Sequence, residues 1–182
     1  MSLLNENNTL ILIIDIQEKL LNAVFNKETV ENFSKIITKT ANILGIPTII
    51  TEQYPKSLGE TVSCIKENMC SNGEIFEKDT FSALDNVSIK DAIKSKKRKQ
   101  IILFGIETHI CVNQTAQALI QAGYEVFVIS NACGSRDENE YRYGLERIKS
   151  EGGNIITAEI ALFELLRGAK HPNFKEIQSL IK

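Results

Sequence analysis

Three widely separated side chains, Asp15, Lys78 and Cys111, could together perform nucleophilic chemistry, because they supply a carboxylate, an ammonium and a thiol. A free thiol has a pKa of about 8.5, so it needs a base or a cation beside it to react at neutral pH. Cys111 lies at the predicted start of a helix, where unpaired N–H groups and the helix dipole favour the thiolate. The position of Cys111 alone is explained equally well if it is a small buried residue of the core.

Six short runs rich in aliphatic and β-branched residues alternate with longer stretches of helical period, which is typical of βαβ units. The runs are Thr9–Asp15, Thr48–Thr51, Glu74–Glu77, Gln100–Ile106, Glu125–Ser130 and Asn154–Thr157. The first, fourth and fifth are apolar almost throughout, as strands buried on both faces must be. We therefore predict an α/β fold, a three-layer α/β/α sandwich around a six-stranded parallel sheet of order 3-2-1-4-5-6.

Apolar residues at helical spacing predict the helices between and after these runs. The predicted helices cover Val30–Leu44, the stretch from Cys111 to just before Gly123, Glu138–Lys149, Ala161–Leu166 and Phe174–Ile181. The chain has 182 residues and shows no repeat, low-complexity segment or linker. We therefore predict a single domain over residues 1–182.

The predicted sheet brings the reactive side chains together. In such sheets the ligand crevice opens at the carboxyl ends of the strands where the winding reverses, here between strands one and four. Asp15 ends the first run and Cys111 follows the fourth, so they are predicted neighbours, although an aspartate can also simply end a strand or cap a helix. Lys78 follows the third run and would stabilise both groups if it points inward, but most lysines lie at the surface.

Composition limits the partners. The formal net charge is -2 and the pI is about 5.8, so no long-range positive field attracts nucleic acid or an anionic membrane. The basic run Lys94–Lys99 is interpreted as a solvated helix end. No apolar stretch reaches the roughly 20 residues that span a bilayer, and the four cysteines lack paired metal-ligand spacing. We expect a cytoplasmic protein with reduced thiols and with neither nucleic-acid nor membrane partners.

Three segments carry a family resemblance: Leu12–Gln17, Glu77–Ser82 and Gly105–Val112. In order and spacing they resemble the Asp, Lys and Cys motifs of the isochorismatase-like cysteine hydrolase superfamily, and the chain looks closest to the isochorismatase-domain-containing subgroup. The resemblance continues through Thr51–Gly59, Gly123–Val126, Ser135–Arg136 and His171–Ile177. It covers almost the whole chain.

The resemblance implies a catalytic triad in which Asp15 is the base, Lys78 the electrostatic partner and Cys111 the nucleophile. It also implies a cis peptide bond at Ile106–Glu107 and an oxyanion hole formed by the backbone N–H groups of Glu107 and Cys111. A homo-oligomer is implied as well. The corresponding function is hydrolysis of a small-molecule substrate.

The departures from the family pattern narrow this expectation. Nicotinamidases of the superfamily bind a metal through an Asp-x-His element after the second strand, where this chain has Glu52-Gln53-Tyr54. The two histidines, His109 and His171, share no motif, so we expect no metal and no other cofactor. True isochorismatases cleave a vinyl ether without a thiol nucleophile, so a cysteine favours a carbonyl substrate instead. We expect C–N hydrolysis of a small amide, imide or carbamoyl compound through a covalent thioester.

Four residues are predicted to bind the substrate: Gln17, Phe25, Tyr54 and Phe81. For each aromatic, core packing is an equally good explanation. Two other functions stay open on the same fold. Cys111 could be a redox-responsive thiol, because an exposed thiolate is easily oxidised, or the chain could be a catalytically silent α/β binding module.

Overall fold

The computed structural model describes residues 2–182, which form a three-layer α/β/α fold around one six-stranded sheet. The strands are β1 (Thr9–Ile14), β2 (Thr48–Gln53), β3 (Glu74–Lys78), β4 (Gln100–Ile106), β5 (Glu125–Gly134) and β6 (Asn154–Ile156). They lie in the order β3-β2-β1-β4-β5-β6, and each neighbouring pair is parallel. The predicted fold class and strand order are confirmed.

The three central strands carry the core. Every residue of β1, β2 and β4 is buried, because helices cover both faces of the sheet there. At the carboxyl end of β1, Ile14 pairs with Thr51 of β2 on one side and with Gly105 of β4 on the other. The polar residues that follow these strands therefore meet at one edge of the sheet.

The helices flank the sheet in two layers. They are α1 (Glu18–Ala23), α2 (Lys27–Leu44), α3 (Pro55–Leu58), α4 (Ser63–Lys66), α5 (Val87–Ser95), α6 (Asn113–Gln121), α7 (Glu138–Ser150), α8 (Ala158–Leu166) and α9 (Phe174–Ser179). Helix α2 packs with α8, and α6 packs with α7. Within residues 2–182, none of these helices is long and apolar enough to cross a membrane.

Some predicted boundaries need correction. Helix α2 begins at Lys27, three residues before the predicted start, and β5 continues past Ser130 to Gly134. Helices α3 and α4 were not predicted, because four residues give too little periodicity to stand out. Helix α1 was missed as well, and α5 was anticipated only at its basic end, Lys94–Lys99. Cys111 is not at the start of an α-helix. It lies in a five-residue π-helical turn, Thr108–Val112, which precedes α6, and such turns are frequent at functional sites.

Two close backbone approaches place this turn, and both require glycine. Gly105 has φ +138°, and a β-carbon there would lie 1.9 Å from the carbonyl oxygen of Ile14. A β-carbon on Gly144 of α7 would lie 2.9 Å from the α-carbon of His109 in the turn. Side chains at either position would separate these elements. Gly144 thus lets the π-helical turn pack against α7, and Gly105 brings the end of β4, which leads into the turn, against the end of β1.

Candidate active site

Asp15 is the first residue after β1, and its side chain is completely buried. Its φ of 51° lies in the left-handed region, which aspartate tolerates better than most residues. The carboxylate accepts two short hydrogen bonds, from Thr51 Oγ1 to Oδ1 at 2.6 Å and from Lys78 Nζ to Oδ2 at 2.7 Å. Both oxygens of this buried anion therefore have a donor.

Lys78 is the last residue of β3, and its side chain is also completely buried. Its ammonium donates to Asp15 Oδ2 at 2.7 Å, to Gln53 Oε1 at 2.6 Å and to the carbonyl oxygen of Thr80 at 3.0 Å. Because an ammonium has three hydrogens, these three oxygen acceptors use all of them. Cys111 Sγ lies 3.8 Å from the same nitrogen. Lys78 therefore neutralises the carboxylate and lies beside the thiol.

Gln53 is a part of this cluster that the sequence analysis missed. It is the last residue of β2, directly opposite Lys78 in the β2–β3 register. Its Oε1 accepts from the ammonium, and its Nε2 donates to the carbonyl oxygen of Asp79 at 3.2 Å. The two partners fix the orientation of the amide, because one is only a donor and the other only an acceptor. The signal that could have revealed Gln53 is the pairing register of the two strands.

Cys111 lies beside this cluster with 7% of its surface exposed. Burial raises the pKa of the Cys111 thiol to about 12, the negative charge of Asp15 adds to this, and the positive charge of Lys78 opposes it. The expectation of a thiolate favoured by a helix start is therefore wrong. Desolvation outweighs the neighbouring ammonium. In the resting protein the sulfur carries its proton.

Glu107 connects β4 to the π-helical turn. The Ile106–Glu107 peptide bond is cis. Within residues 2–182, the N–H of Glu107 donates to no other residue. The Glu107 carboxylate accepts a hydrogen bond from the backbone N–H of Arg136 at 3.0 Å, and the Arg136 Nε lies 3.3 Å away. The side chain of Glu107 is thus held by Arg136, while its backbone donor stays available.

A cleft of about 140 Å³ opens beside the thiol, and we call it the Cys111 cleft. Its lining is mostly apolar: Leu20, Leu58, Phe81, Ile106 and Ile110, with Gln53, Glu107 and Cys111 as the polar members. Ligand sites commonly combine apolar walls with a few converging polar groups. The cleft can therefore hold a small molecule against the sulfur.

The four predicted substrate-binding residues lie in different places. Phe81 lines the Cys111 cleft. Tyr54 instead borders a separate depression of about 240 Å³, and Phe25 packs edge-on against Tyr141 with ring centroids 5.7 Å apart. Gln17 is buried, and its amide is occupied by backbone groups, accepting from the N–H of residue 53 at 2.7 Å and donating to two carbonyl oxygens. The structure thus brings one of the four to the cleft.

The segment that holds a metal in nicotinamidases has other roles here. Glu52 accepts a hydrogen bond from the backbone N–H of Thr61 at 2.7 Å, and Gln53 holds the Lys78 ammonium. His109 Nδ1 lies 3.0 Å from Ser135 Oγ, outside this segment. Within residues 2–182, no three His, Cys, Asp or Glu side chains form a group that could hold a metal ion. The donors present do not fit a metal site.

Comparison with known proteins identifies the family. A family model described as "Isochorismatase domain" matches residues 9–160. The chain belongs to the isochorismatase family. The resemblance read from the motifs is thereby confirmed, and the chain is an isochorismatase-family hydrolase.

Similar proteins within the isochorismatase family cover nearly the whole chain. "Isochorismatase family protein 1A" of Dictyostelium discoideum is 38% identical over 180 residues, which cover 97% of this chain and 87% of that protein. "Isochorismatase domain-containing protein 2" of Danio rerio is 36% identical over 179 residues, covering 98% and 89%. A solved structure of "MAR1 Ribonuclease" from Caenorhabditis elegans has 36% identity and a TM-score of 0.94, covering 99% of this chain and 92% of that chain.

Proposed function

We propose that this protein is a metal-independent cysteine hydrolase that cleaves the C–N bond of small amide, imide or carbamoyl compounds through a covalent thioester. One observation carries the proposal. A buried ammonium, Lys78 Nζ, lies 2.7 Å from the carboxylate of Asp15 and 3.8 Å from the sulfur of Cys111, beside a mostly apolar cleft. Base, cation and nucleophile are therefore within reach of one carbonyl carbon.

The first half-reaction forms the thioester. Because the pKa of the Cys111 thiol is raised to about 12, its proton passes to Asp15 as the sulfur attacks the carbonyl carbon, rather than beforehand. The attack creates a tetrahedral oxyanion, which accepts hydrogen bonds from the backbone N–H groups of Glu107 and Cys111. When the oxyanion collapses, the C–N bond breaks, and Asp15 returns the proton to the leaving nitrogen.

The second half-reaction releases the acid. A water molecule gives a proton to Asp15 and attacks the thioester carbonyl carbon. The C–S bond then breaks, and the sulfur of Cys111 recovers the proton. Throughout the cycle, Lys78 offsets the negative charge that moves between the carboxylate, the sulfur and the oxyanion. No metal is needed to polarise the carbonyl, because the backbone donors and the ammonium supply the positive potential.

The two alternative functions left open by the sequence make different predictions from those of a hydrolase. A redox-responsive Cys111 requires an accessible low-pKa thiolate, and the raised pKa of this thiol disfavours that role. A silent binding module would show no turnover at all.

The Caenorhabditis elegans ribonuclease suggests RNA as a further candidate substrate. The position of the basic run Lys94–Lys99 argues against RNA as the substrate. This run precedes the first residue of β4, whereas the Cys111 cleft lies at the carboxyl end of that strand.

The proposal is tested with a panel of small amides, imides and carbamoyl compounds, assayed for release of ammonia or amine. We expect turnover by the wild type and a loss of at least about 10⁴-fold in Cys111→Ala, as for removal of other catalytic nucleophiles. Intact-mass spectrometry should detect an acyl adduct on wild type only. Cys64→Ala is the matched control, because Cys64 is a half-buried thiol outside the cleft.

Turnover by Cys111→Ala at the wild-type rate would refute the proposed role of the thiol. A labelled RNA oligonucleotide belongs in the same panel. RNA cleavage that depends on Cys111, with every C–N substrate unchanged, would replace the proposal by a ribonuclease activity.

A further inference from the structure

We infer that the Cys111 cleft selects small, uncharged acyl compounds and rejects those that carry a carboxylate. The inference rests on the proposed function for the reaction itself, and it names the substrate class within that reaction. It comes from the charges that surround the cleft and from the space beside the thiol.

The cation next to the thiol, Lys78, already has its hydrogen-bond partners within the protein. All three hydrogens of the Lys78 ammonium are donated to oxygen atoms, of Asp15, Gln53 and Thr80, at 2.6–3.0 Å. The ammonium and the Asp15 carboxylate are both completely buried and neutralise each other. A substrate carboxylate would therefore have to take a hydrogen bond away from the protein in order to reach this charge.

The lining of the Cys111 cleft is mostly apolar and carries little charge. Among the described residues that line it, Glu107 is the only one with a formal charge, and that charge is negative. The cation that pairs with Glu107 is Arg136, whose side chain is 65% exposed. An anionic substrate would thus enter a mostly apolar cleft whose described lining contains a carboxylate and no cation. Burying an unpaired carboxylate is strongly unfavourable, whereas a neutral amide loses far less.

The size of the Cys111 cleft limits the substrate as well. The cleft encloses about 140 Å³, and an apolar cavity of about 150 Å³ holds a molecule the size of benzene. The enclosed part of the substrate therefore has about six non-hydrogen atoms. This limit is set in part by three apolar side chains of the cleft lining, which are Leu20 of α1, Leu58 of α3 and Phe81 after β3.

The charge rule is tested with two alkylating agents of nearly equal size, neutral iodoacetamide and anionic iodoacetate. Their rates at Cys111 are measured by peptide mass spectrometry at one mildly alkaline pH, and glutathione gives the reference ratio. We expect the ratio of the iodoacetamide rate to the iodoacetate rate to be about a hundredfold higher at Cys111 than at glutathione. The reason is that the anionic reagent would be buried at Cys111 without a positive partner. A ratio equal to that of glutathione would overturn the inference.

Two substitutions at Phe81 make the test specific. The side chain is 54% exposed, so both changes should be compatible with folding. Phe81→Lys places an ammonium at the cleft and should lower the preference for the neutral reagent by about tenfold. Phe81→Met is the uncharged control and should keep the wild-type preference. Equal preferences in the two variants would contradict the claim that a missing cation causes the selectivity.

This test is independent of catalysis. If Cys111 shows the charge preference but no amide is turned over, the proposed function fails while the inference about the cleft holds. If amides are turned over through Cys111 and the two reagents react in the glutathione ratio, the inference fails and the proposed function stands.

Discussion

The inner and outer parts of the candidate site are built in opposite ways. The inner part, which we call the floor, consists of Asp15, Gln53 and Lys78 at the ends of three paired strands, all less than 10% exposed and joined by hydrogen bonds of 2.6–2.7 Å. The outer part, which we call the wall, is formed by residues such as Leu58 and Phe81, on a four-residue helix and a loop. The residues proposed to perform the chemistry are thus held by the sheet, while the proposed selectivity depends on a short helix and a loop.

The largest effect on stability should come from breaking the floor's ion pair. Lys78→Met leaves the buried carboxylate of Asp15 without its counter-ion, which should lower the free energy of unfolding by about 3–5 kcal/mol. The double variant Asp15→Asn, Lys78→Met removes both charges and should recover at least about 2 kcal/mol of this loss, without recovering activity. Urea unfolding followed by circular dichroism measures both quantities.

A surface ion pair supplies the control for that experiment. Lys66 Nζ and Glu60 Oε2 lie 2.6 Å apart, but the two side chains are 37% and 71% exposed. Lys66→Met should leave the free energy of unfolding unchanged within error, because solvent screens such pairs. The losses of unfolding free energy in Asp15→Asn and Lys78→Met alone are also measured. If the loss in the double variant equalled their sum, the two charges of the floor would not act as a pair.

The wall should respond in selectivity rather than in stability. Phe81→Ala removes a half-exposed ring from the cleft lining, so it should enlarge the space without much loss of buried apolar area. We expect kcat/KM for straight-chain amides to shift by about tenfold toward longer acyl groups, in line with about 1–3 kcal/mol per methylene in an apolar pocket. A chain-length series with wild type and variant measures this. An unchanged length preference would remove Phe81 from the wall.

The smallest expected effect is a pH dependence of stability. The pKa of the Cys111 thiol is about 12 in the folded protein against 9.0 in the reference state, so above about pH 9 the unfolded chain binds fewer protons. Stability due to this group is therefore complete below pH 9 and is lost as the pH rises toward 12. Between pH 8 and 10, the free energy of unfolding should therefore fall by about 1 kcal/mol less in Cys111→Ser than in wild type.

Phe81→Met is the wall variant for comparison, and its stability should follow the wild-type pH dependence. Parallel pH dependences of wild type and Cys111→Ser would show that the thiol is not desolvated by the fold. Chemical unfolding at a series of pH values gives all three curves.

The sheet explains how much could be predicted from the sequence. Continuous aliphatic runs identify buried parallel strands, and the crossover rule then gives the strand order. That order alone placed Asp15 close to Cys111, nearly a hundred residues away. Lys78 needed the family resemblance as well, because a lysine after an edge strand is usually exposed.

The remaining features depend on contacts that have no sequence period. The contact of Gln53 with Lys78 follows from the β2–β3 register, which the sequence pattern does not give. Phe25 packs against Tyr141, and no local sequence pattern predicts that contact. The thiol of Cys111 was expected to be acidic from its place near a helix start, but the degree of burial decides its pKa, and burial is a property of the packed fold. Cytoplasmic location, the homo-oligomer and the oxyanion hole stay predictions.

The protonated resting state of Cys111 also bears on how such an enzyme would be found. General alkylating probes rank the cysteines of a cell by how much thiolate each one exposes at neutral pH. A thiol that is almost fully buried, with a pKa near 12, would fall among the least reactive in that ranking. With the role proposed above, Cys111 would be missed by a screen for intrinsically reactive cysteines and detected by a probe that carries the right small acyl group.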